Sequence, residues 1–473
     1  MNGRFARLKE EWLLRGWSDV PWALVNWRNG DFRELNRDGY YVAQSCDGQT
    51  DFDSLAFLPR HREILNKLIT AGLVEACAGG EKSEAVQDYR RAPNPVIRGL
   101  LWSITGRCNL KCRHCFMEAP SGRFGDFTLE QIKGMIRQLE EANVQEVALT
   151  GGEPFMRRDL PEIIRILSRK KIGLAEVFSN GMLITDEILE TIMQYGYRPF
   201  FKISFDGCNT HDYMRGVSGS EAKTIEGIKR LKVREFPVTI ITSVDQITRR
   251  NLLETYDMLR DLAVDGWWLA PPVEIGHWRG QQSGVSLEDM VETSTLLMQR
   301  WLADNRPFDL KLWRFGLFPR QDKGAGDESR SVPGPITPDS WNCGGTHSRP
   351  YLLPDGTLLP CGGYTGTGLL EKMPNVLRSS LSKAWSDPEL RSICDLKKKD
   401  VLAQNEGCTQ CGFFGECGAG CRVVALTETG DLLAKEPIAC KLFHGGYIRR
   451  FREMVEAGSY APGMKTDSQD CRE

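Results

Sequence analysis

Between Arg98 and Gly280 short apolar runs alternate with amphipathic stretches, and this alternation constrains the fold more than any other property of the chain. The runs Gly99–Thr105, Val144–Thr150, Leu174–Ser179, Phe200–Phe205, Val238–Val244 and Trp267–Pro271 have the length and composition of buried strands. Between them Leu129–Ala142, Leu160–Lys170, Asp186–Gln194 and Lys223–Lys232 carry apolar residues at helical spacing. Strands separated by helices run parallel, joined by right-handed crossovers. An α/β fold follows, and barrels of this kind place their chemistry at the strand ends.

The loop after the first run holds Cys108, Cys112 and Cys115 in C-N-L-K-C-R-H-C. C-x3-C-x2-C spacing gives an iron-sulfur cluster three thiolates and leaves one iron without a protein ligand, free to hold and reduce a bound molecule. Zinc, with His114 as a further ligand, and core packing are the alternatives for this run taken alone. Thr150-Gly151-Gly152-Glu153-Pro154 follows the second strand. Its glycines let a ligand approach the backbone, and its carboxylate can accept from an amine. Ser179-Asn180-Gly181 ends the third strand and Ser204-Phe205-Asp206-Gly207 the fourth, bringing short polar side chains to the same rim.

In these runs the chain resembles the radical S-adenosylmethionine (SAM) superfamily. The resemblance implies a partial (β/α)6 barrel, a 4Fe-4S cluster on Cys108, Cys112 and Cys115, and SAM chelating its unique iron. Reductive cleavage of SAM then yields a 5'-deoxyadenosyl radical that abstracts a substrate hydrogen, with electrons from an external donor of flavodoxin or ferredoxin type. It also implies that Gly151, Gly152 and Glu153 meet the amino group of SAM. Ser204 and Asp206 lie near its ribose or methionyl part, with Asn180 close by. Arg215, in H-D-Y-M-R-G, pairs with its carboxylate through a bidentate fork. His211 in the same run reads as a loop hydrogen-bonder. Glu274 and Arg279, after the sixth strand, are pocket candidates by placement. No general base stands out among the many Asp and Glu of the barrel loops.

Fifteen cysteines in 473 residues, without an uninterrupted apolar stretch for export or for crossing a bilayer, suit a reducing, cytoplasmic setting in which clustered cysteines are metal ligands. A net charge of -2, spread along the chain, gives no basic face for nucleic acid. Lys397, Lys398 and Lys399 form the one notable charge run and read as a solvated helix end.

Cys343 is followed by twelve residues, Gly356, four residues and Cys361; then come Cys408, Cys411, Cys417 and Cys421 as C-x2-C-x5-C-x3-C, and later Cys440. This string resembles the SPASM domain, which carries two auxiliary 4Fe-4S clusters. The resemblance implies that Cys408, Cys411, Cys417 and Cys440 hold the outer cluster, and Cys343, Cys361 and Cys421 the inner one. No cysteine stands shortly before Cys343, so the inner cluster has an open iron or a non-cysteine ligand. Cys46, Cys77, Cys208 and Cys394 read as small buried hydrophobes, and Cys471 has no assignment.

Ahead of the barrel, residues 1–95 form a separate unit and linker. Met1–Trp17 shows helical spacing. Pro21–Gly30 and Asp31–Asn36 predict a β-hairpin around Asn29-Gly30, Asp38–Cys46 and Arg60–Ala71 predict helices, and Leu73–Cys77 a closing strand. Hairpin, C-D-G-Q-T turn and L-I-T-A-G-L-V-E resemble the PqqD-like winged-helix domain, in which the leader of a ribosomal precursor peptide adds a strand to the sheet edge. A structural brace and a DNA-binding wing are the alternatives. Gly79–Pro95 reads as linker. Residues 96–320 are then the barrel and 321–459 the SPASM domain. Leu287–Asn305 is a helix, Lys323–Ser340 a mobile loop able to close over substrate, and 460–473 a disordered tail.

The expected activity is radical modification of a precursor peptide. Thioether formation between a peptide cysteine and a carbon, as in sactipeptide and ranthipeptide maturases, comes first because the inner cluster lacks a fourth cysteine in the pattern. A carbon-carbon or carbon-oxygen crosslink, as in pyrroloquinoline quinone synthesis, comes second and formylglycine formation third. From another class, an iron-sulfur electron carrier or peptide-binding scaffold would need neither C-x3-C-x2-C nor G-G-E-P.

Overall fold

The computed structural model describes residues 4–54, 56–80, 88–321 and 336–457. Its amino-terminal unit runs β1 (Ala6–Leu8), β2 (Trp12–Gly16), β3 (Ala23–Asn26), β4 (Phe32–Glu34), α1 (Arg37–Ser45), α2 (Pro59–Thr70), β5 (Val74–Ala76) and β6 (Arg90–Arg91). β3 and β4 pair antiparallel around Gly30, whose φ of +77° explains the glycine of the expected hairpin. The sheet order is β4-β3-β2-β6, and β1 pairs separately with β5.

The helical spacing expected of Met1–Trp17 does not survive. β1 alternates buried Ala6 and Leu8 with half-buried Arg7, a period of two, and β2 is buried along its whole length between β3 and β6. The linker expectation also needs correction at its end. Arg90 and Arg91 extend the sheet parallel to β2, and the buried Arg15 guanidinium donates to the Asp88 carbonyl at 2.6 Å. Ala6, Leu8, Trp12, Leu14, Leu24, Val42, Phe52 and Leu65 give the unit a core of its own.

The central sheet begins with β7 (Gly99–Ser103). It continues through α3 (Leu129–Glu141), β8 (Glu146–Thr150), α4 (Leu160–Arg169), β9 (Gly173–Ser179), α5 (Asp186–Gln194), β10 (Phe200–Ser204), α6 (His211–Arg215), α7 (Ser220–Val233), β11 (Val238–Ser243), α8 (Leu252–Asp261), β12 (Gly266–Ala270), α9 (Leu287–Ala303), β13 (Asp309–Leu312) and β14 (Gly316–Phe318). β7 to β13 lie side by side in chain order and all run parallel. Thr128 and Ser286 start α3 and α9 as capping boxes with Gln131 and Asp289, which fixes where the chain turns back. The expected α/β barrel is therefore present, with β13 as a seventh parallel strand and β14 antiparallel beyond it.

The cysteine-rich segment is continuous with this sheet. β15 (Tyr351–Leu352) pairs parallel with β7, and β16 (Leu358–Leu359) pairs antiparallel with β15. One apolar core runs from Trp102 and Trp267 through Leu352 and Trp385 to Phe451. The lysine run is not a solvated end. Lys398 is buried and its Nζ donates to the Gly418 carbonyl at 2.5 Å, while Lys399 faces outward to Asp339. Cys46, Cys208 and Cys394 are buried, but Cys77 is only partly so. Residues 323–335 of the expected loop, and the tail, 460–473, lie outside the described residues.

The amino-terminal unit sits at the amino ends of the strands. Trp17 Nε1 donates to the Ala142 carbonyl (3.2 Å), and Asn143 Nδ2 donates to the carbonyls of Gly16 (3.0 Å) and Arg90 (2.9 Å). Among the described residues no helix is long and apolar enough to cross a membrane.

Candidate active site at the carboxyl ends of the strands

Three segments grip the cysteine loop after β7. From the β8 side, Gly152 N donates to the Thr105 carbonyl (2.8 Å) and Glu153 N to the Arg107 carbonyl (2.7 Å). A Cβ on Gly152 would stand 2.1 Å from the Arg107 oxygen, so the contact requires glycine. From the end of α6, the carbonyls of Arg215 and Met214 accept from Lys111 N (3.0 Å) and Arg113 N (2.9 Å). From the loop after β12, His277 N donates to the Cys115 carbonyl at 3.1 Å. The three thiols thus lie within electrostatic reach of one another, with Cys112 buried and Cys108 and Cys115 partly so. Burial pushes the Cys108 thiol up to about 12, so it is protonated until a metal displaces the proton.

Glu153 is fully buried and lies at the centre of a network. Its carboxylate accepts from Ser179 Oγ (2.9 Å), Asn180 N (2.7 Å) and Phe155 N (3.1 Å). Burial pushes its carboxyl up to about 7 despite these donors. Asn180 carries the network onward, donating from Nδ2 to Asn109 Oδ1 at 2.8 Å. Asn109 is a site residue that the sequence did not single out, and its place between Cys108 and Cys112 was the one available signal.

Asp206 and Arg215 lie beneath the cysteines as a buried pair, Nε to Oδ2 2.6 Å, close but poorly aligned for a hydrogen bond. Asp206 Oδ1 accepts from Ser243 N (2.9 Å), and Arg215 Nη1 approaches Cys112 Sγ at 3.6 Å. Burial works against the Arg215 charge, but Asp206 and Cys112 outweigh it and raise its pKa. His211 Nδ1 accepts from Asp206 N (3.1 Å), and its ring stacks on Phe205. Burial lowers its pKa to about 4, so it is the neutral hydrogen-bonder its sequence context suggested. Ser204 ends β10, half-buried.

Glu274 and Arg279 make contacts of their own after β12. Glu274 accepts from Gly280 N within its own loop, and exposed Arg279 donates to the Gly366 carbonyl. The contact that loop makes is through Gly276 and His277 against Cys115.

The remaining expected cysteines form two groups. Cys408, Cys411, Cys417 and Cys440 line one small pocket with Phe413, Phe414, Phe443 and His444. Cys343 and Cys421 both lie in electrostatic reach of Cys361, whose thiol burial pushes up to about 11. Among the described residues no three His, Cys, Asp or Glu side chains converge on a single-ion position. The groups are therefore defined by proximity of their thiols, and ligands of a cluster are spread over its corners. Thiols in this number and chemistry fit iron-sulfur ligation.

Residues 102–259 match the model of the radical SAM superfamily. The chain carries a radical SAM domain. The matched residues run from within β7 into α8, and the chain is an enzyme. It is 27% identical over 358 residues to an AdoMet-dependent heme synthase of Oleidesulfovibrio alaskensis, covering 73% of this chain and 87% of the relative. It is 35% identical over 173 residues to the antilisterial bacteriocin subtilosin biosynthesis protein AlbA of Bacillus subtilis, covering 36% of this chain and 38% of that one. In fold it is similar to Streptococcus suis SuiB bound to S-adenosylmethionine, with a TM-score of 0.64 and 17% identity over 92% of this chain and 100% of SuiB. SuiB bound to its precursor peptide SuiA superposes with a TM-score of 0.61 and 16% identity, over 93% of this chain and 100% of SuiB.

Proposed function

We propose that this radical SAM enzyme modifies a ribosomally made peptide, joining a peptide cysteine to a carbon of another residue as a thioether. The observation that carries the reading is the open strand β4 on a folded unit joined to the barrel. When bound, SAM and a 4Fe-4S cluster on Cys108, Cys112 and Cys115 supply a hydrogen-abstracting radical, and clusters on the two carboxyl-terminal cysteine groups accept the remaining electron. The thiol gives up its proton, and two hydrogens are lost per bond. Glu153 takes the SAM amino group, Gly151 and Gly152 admit its approach, and Asn180, Ser204, Asp206 and Arg215 complete the rim.

β4 is at a sheet edge, and Arg33 and Glu34 are exposed. Leu35 N donates to the Trp22 carbonyl and Asn26 N to the Asp31 carbonyl, so residues 31, 33 and 35 face β3. Phe32 and Glu34 therefore turn their main chain to the open side, where a leader adds as a strand. Glu34→Pro removes one outward N–H and leaves the β3 ladder intact. It is expected to weaken leader binding roughly tenfold, measured by fluorescence anisotropy, while SAM cleavage without peptide continues. Unchanged leader affinity would exclude this edge.

The leader binds at the amino ends of strands of five residues, about 17 Å from the carboxyl-end site. A spacer between leader and modified residues has to cover that distance.

The relation to heme synthases over most of the chain favours a tetrapyrrole as the second reading. Anaerobic incubation with SAM, reductant and a cysteine-containing candidate precursor peptide, followed by mass spectrometry with thiol alkylation, separates the readings. Loss of two hydrogens with a matching loss of alkylatable cysteines supports thioether formation. Loss with every thiol still reactive indicates a carbon-carbon or carbon-oxygen crosslink. An unmodified peptide while 5'-deoxyadenosine is released sinks the peptide reading.

SAM affinity tests Glu153. Its carboxyl has to be ionised to pair with an ammonium, and burial holds its pKa near 7. Binding is expected to strengthen from pH 6 to about 7.5, approaching tenfold per unit below the pKa, before the α-amino group itself deprotonates. Glu153→Gln should bind weakly and without that slope in equilibrium dialysis.

A further inference from the structure

We infer that Cys394 is the fourth protein ligand of the inner auxiliary cluster, closing the iron that Cys343, Cys361 and Cys421 leave open. The inference rests on the reading that these three cysteines hold a cluster.

The segment before Cys343 runs antiparallel to the one after Cys394. Asn342 N donates to the Leu396 carbonyl at 2.7 Å, Lys398 N to the Ser340 carbonyl at 3.0 Å, and Trp341 bridges Lys397. This register brings Cys343 across from the end of the helix Pro388–Cys394. His347, in the helix that begins just after Cys343, lies beside Asp395, the residue next to Cys394 (Nδ1 to Oδ1 3.3 Å), and stacks on Trp341. Cys394 therefore lies in electrostatic reach of both Cys343 and Cys361. Tyr364, 1% exposed, lies in reach of all four sulfurs: Cys361, Cys421, Cys394 and Cys343.

Cys394 differs from the other buried thiols in this company. Cys46 donates to the Val42 carbonyl of its own helix, and Cys208 packs on Met258, each as a small apolar side chain does. A cubane has four irons and usually takes four thiolates. The pattern-matching cysteines supply three, and the fourth thiol in the neighbourhood comes from the gap between Cys361 and Cys408, where sequence spacing offers no rule. Its position is 2% exposed, out of reach of a substrate thiol. A cluster closed in this way passes electrons and does not hold substrate sulfur.

The test uses the full chain carrying Cys108→Ala, Cys112→Ala and Cys115→Ala, so that auxiliary clusters alone remain. Iron and sulfide are counted after reconstitution, and the EPR spectrum of the reduced protein is recorded before and after adding β-mercaptoethanol. The expected parent holds about eight irons and its spectrum ignores the added thiol. Cys394→Ala then either loses about half the iron or becomes thiol-sensitive. Cys394→Ser, which keeps the volume, repeats the measurement should the alanine variant fail to fold. A parent spectrum that shifts with thiol, or a Cys394 variant with the parent's iron and insensitivity, overturns the inference. A parent holding about four irons instead overturns the reading of an inner cluster itself.

Discussion

Replacing Cys108, Cys112 and Cys115 together with Ala is expected to reduce SAM-dependent release of 5'-deoxyadenosine to the uncatalysed background and to remove about four irons per chain. The three thiols lie on one loop clamped by main-chain bonds to Gly152–Glu153, Met214–Arg215 and His277, none of which passes through a cysteine side chain. The loop should therefore keep its course when the sulfurs are gone, and a folded protein without the activity is the expected product. The clusters proposed for the carboxyl-terminal groups would draw their ligands from 343 onward, so any iron and absorbance they contribute should remain. Chromatography of the reaction and an iron assay on the same sample read both effects. Persistent release of 5'-deoxyadenosine from the triple variant would show that another site holds the cleaving cluster.

The barrel was legible because its signals are local and repeated. Asp186–Gln194 is a helix with the bounds its apolar spacing indicates, and all six expected strands start and end within two residues of their apolar runs. Sequence reading failed where an element is too short to show a period. β1 has three residues and β2 is buried on both faces, so charged neighbours at Arg7, Lys9, Glu10 and Glu11 imposed a false helical spacing. β6, β15 and β16 have two residues each and exist through their partners. Lys398 failed for a related reason. A lysine run is solvated on average, but the middle lysine here reaches a carbonyl supplied by Gly418, a neighbour that only the fold reveals. The site divides along the same line. Motif residues such as Glu153 and Asp206 were visible, whereas Asn109 and His277 matter through bonds to segments far away in sequence.

Arg215→Met is expected to destabilise the barrel by about 3–5 kcal/mol, because it leaves the Asp206 charge in a site with no exposure. After the substitution Asp206 Oδ1 retains Ser243 N, but Oδ2 has lost its cation. Asp206→Asn makes the converse change and should cost less, since Arg215 is slightly exposed and keeps Cys112 beside Nη1. Combining Asp206→Asn with Arg215→Met removes both charges and should recover a large part of the loss, the signature of a buried pair rather than of two independent contacts. Denaturant midpoints for the four proteins measure this, and equal midpoints for Arg215→Met and the parent would show that the pair contributes nothing to stability. SAM affinity measured on the same proteins separates the second role proposed for Arg215. If its fork also binds the SAM carboxylate, Asp206→Asn frees the guanidinium and should weaken SAM binding less than Arg215→Met does. Binding that falls equally in both variants would mean that Asp206 is needed to aim Arg215, and that the pair acts as one unit beneath the cysteine loop.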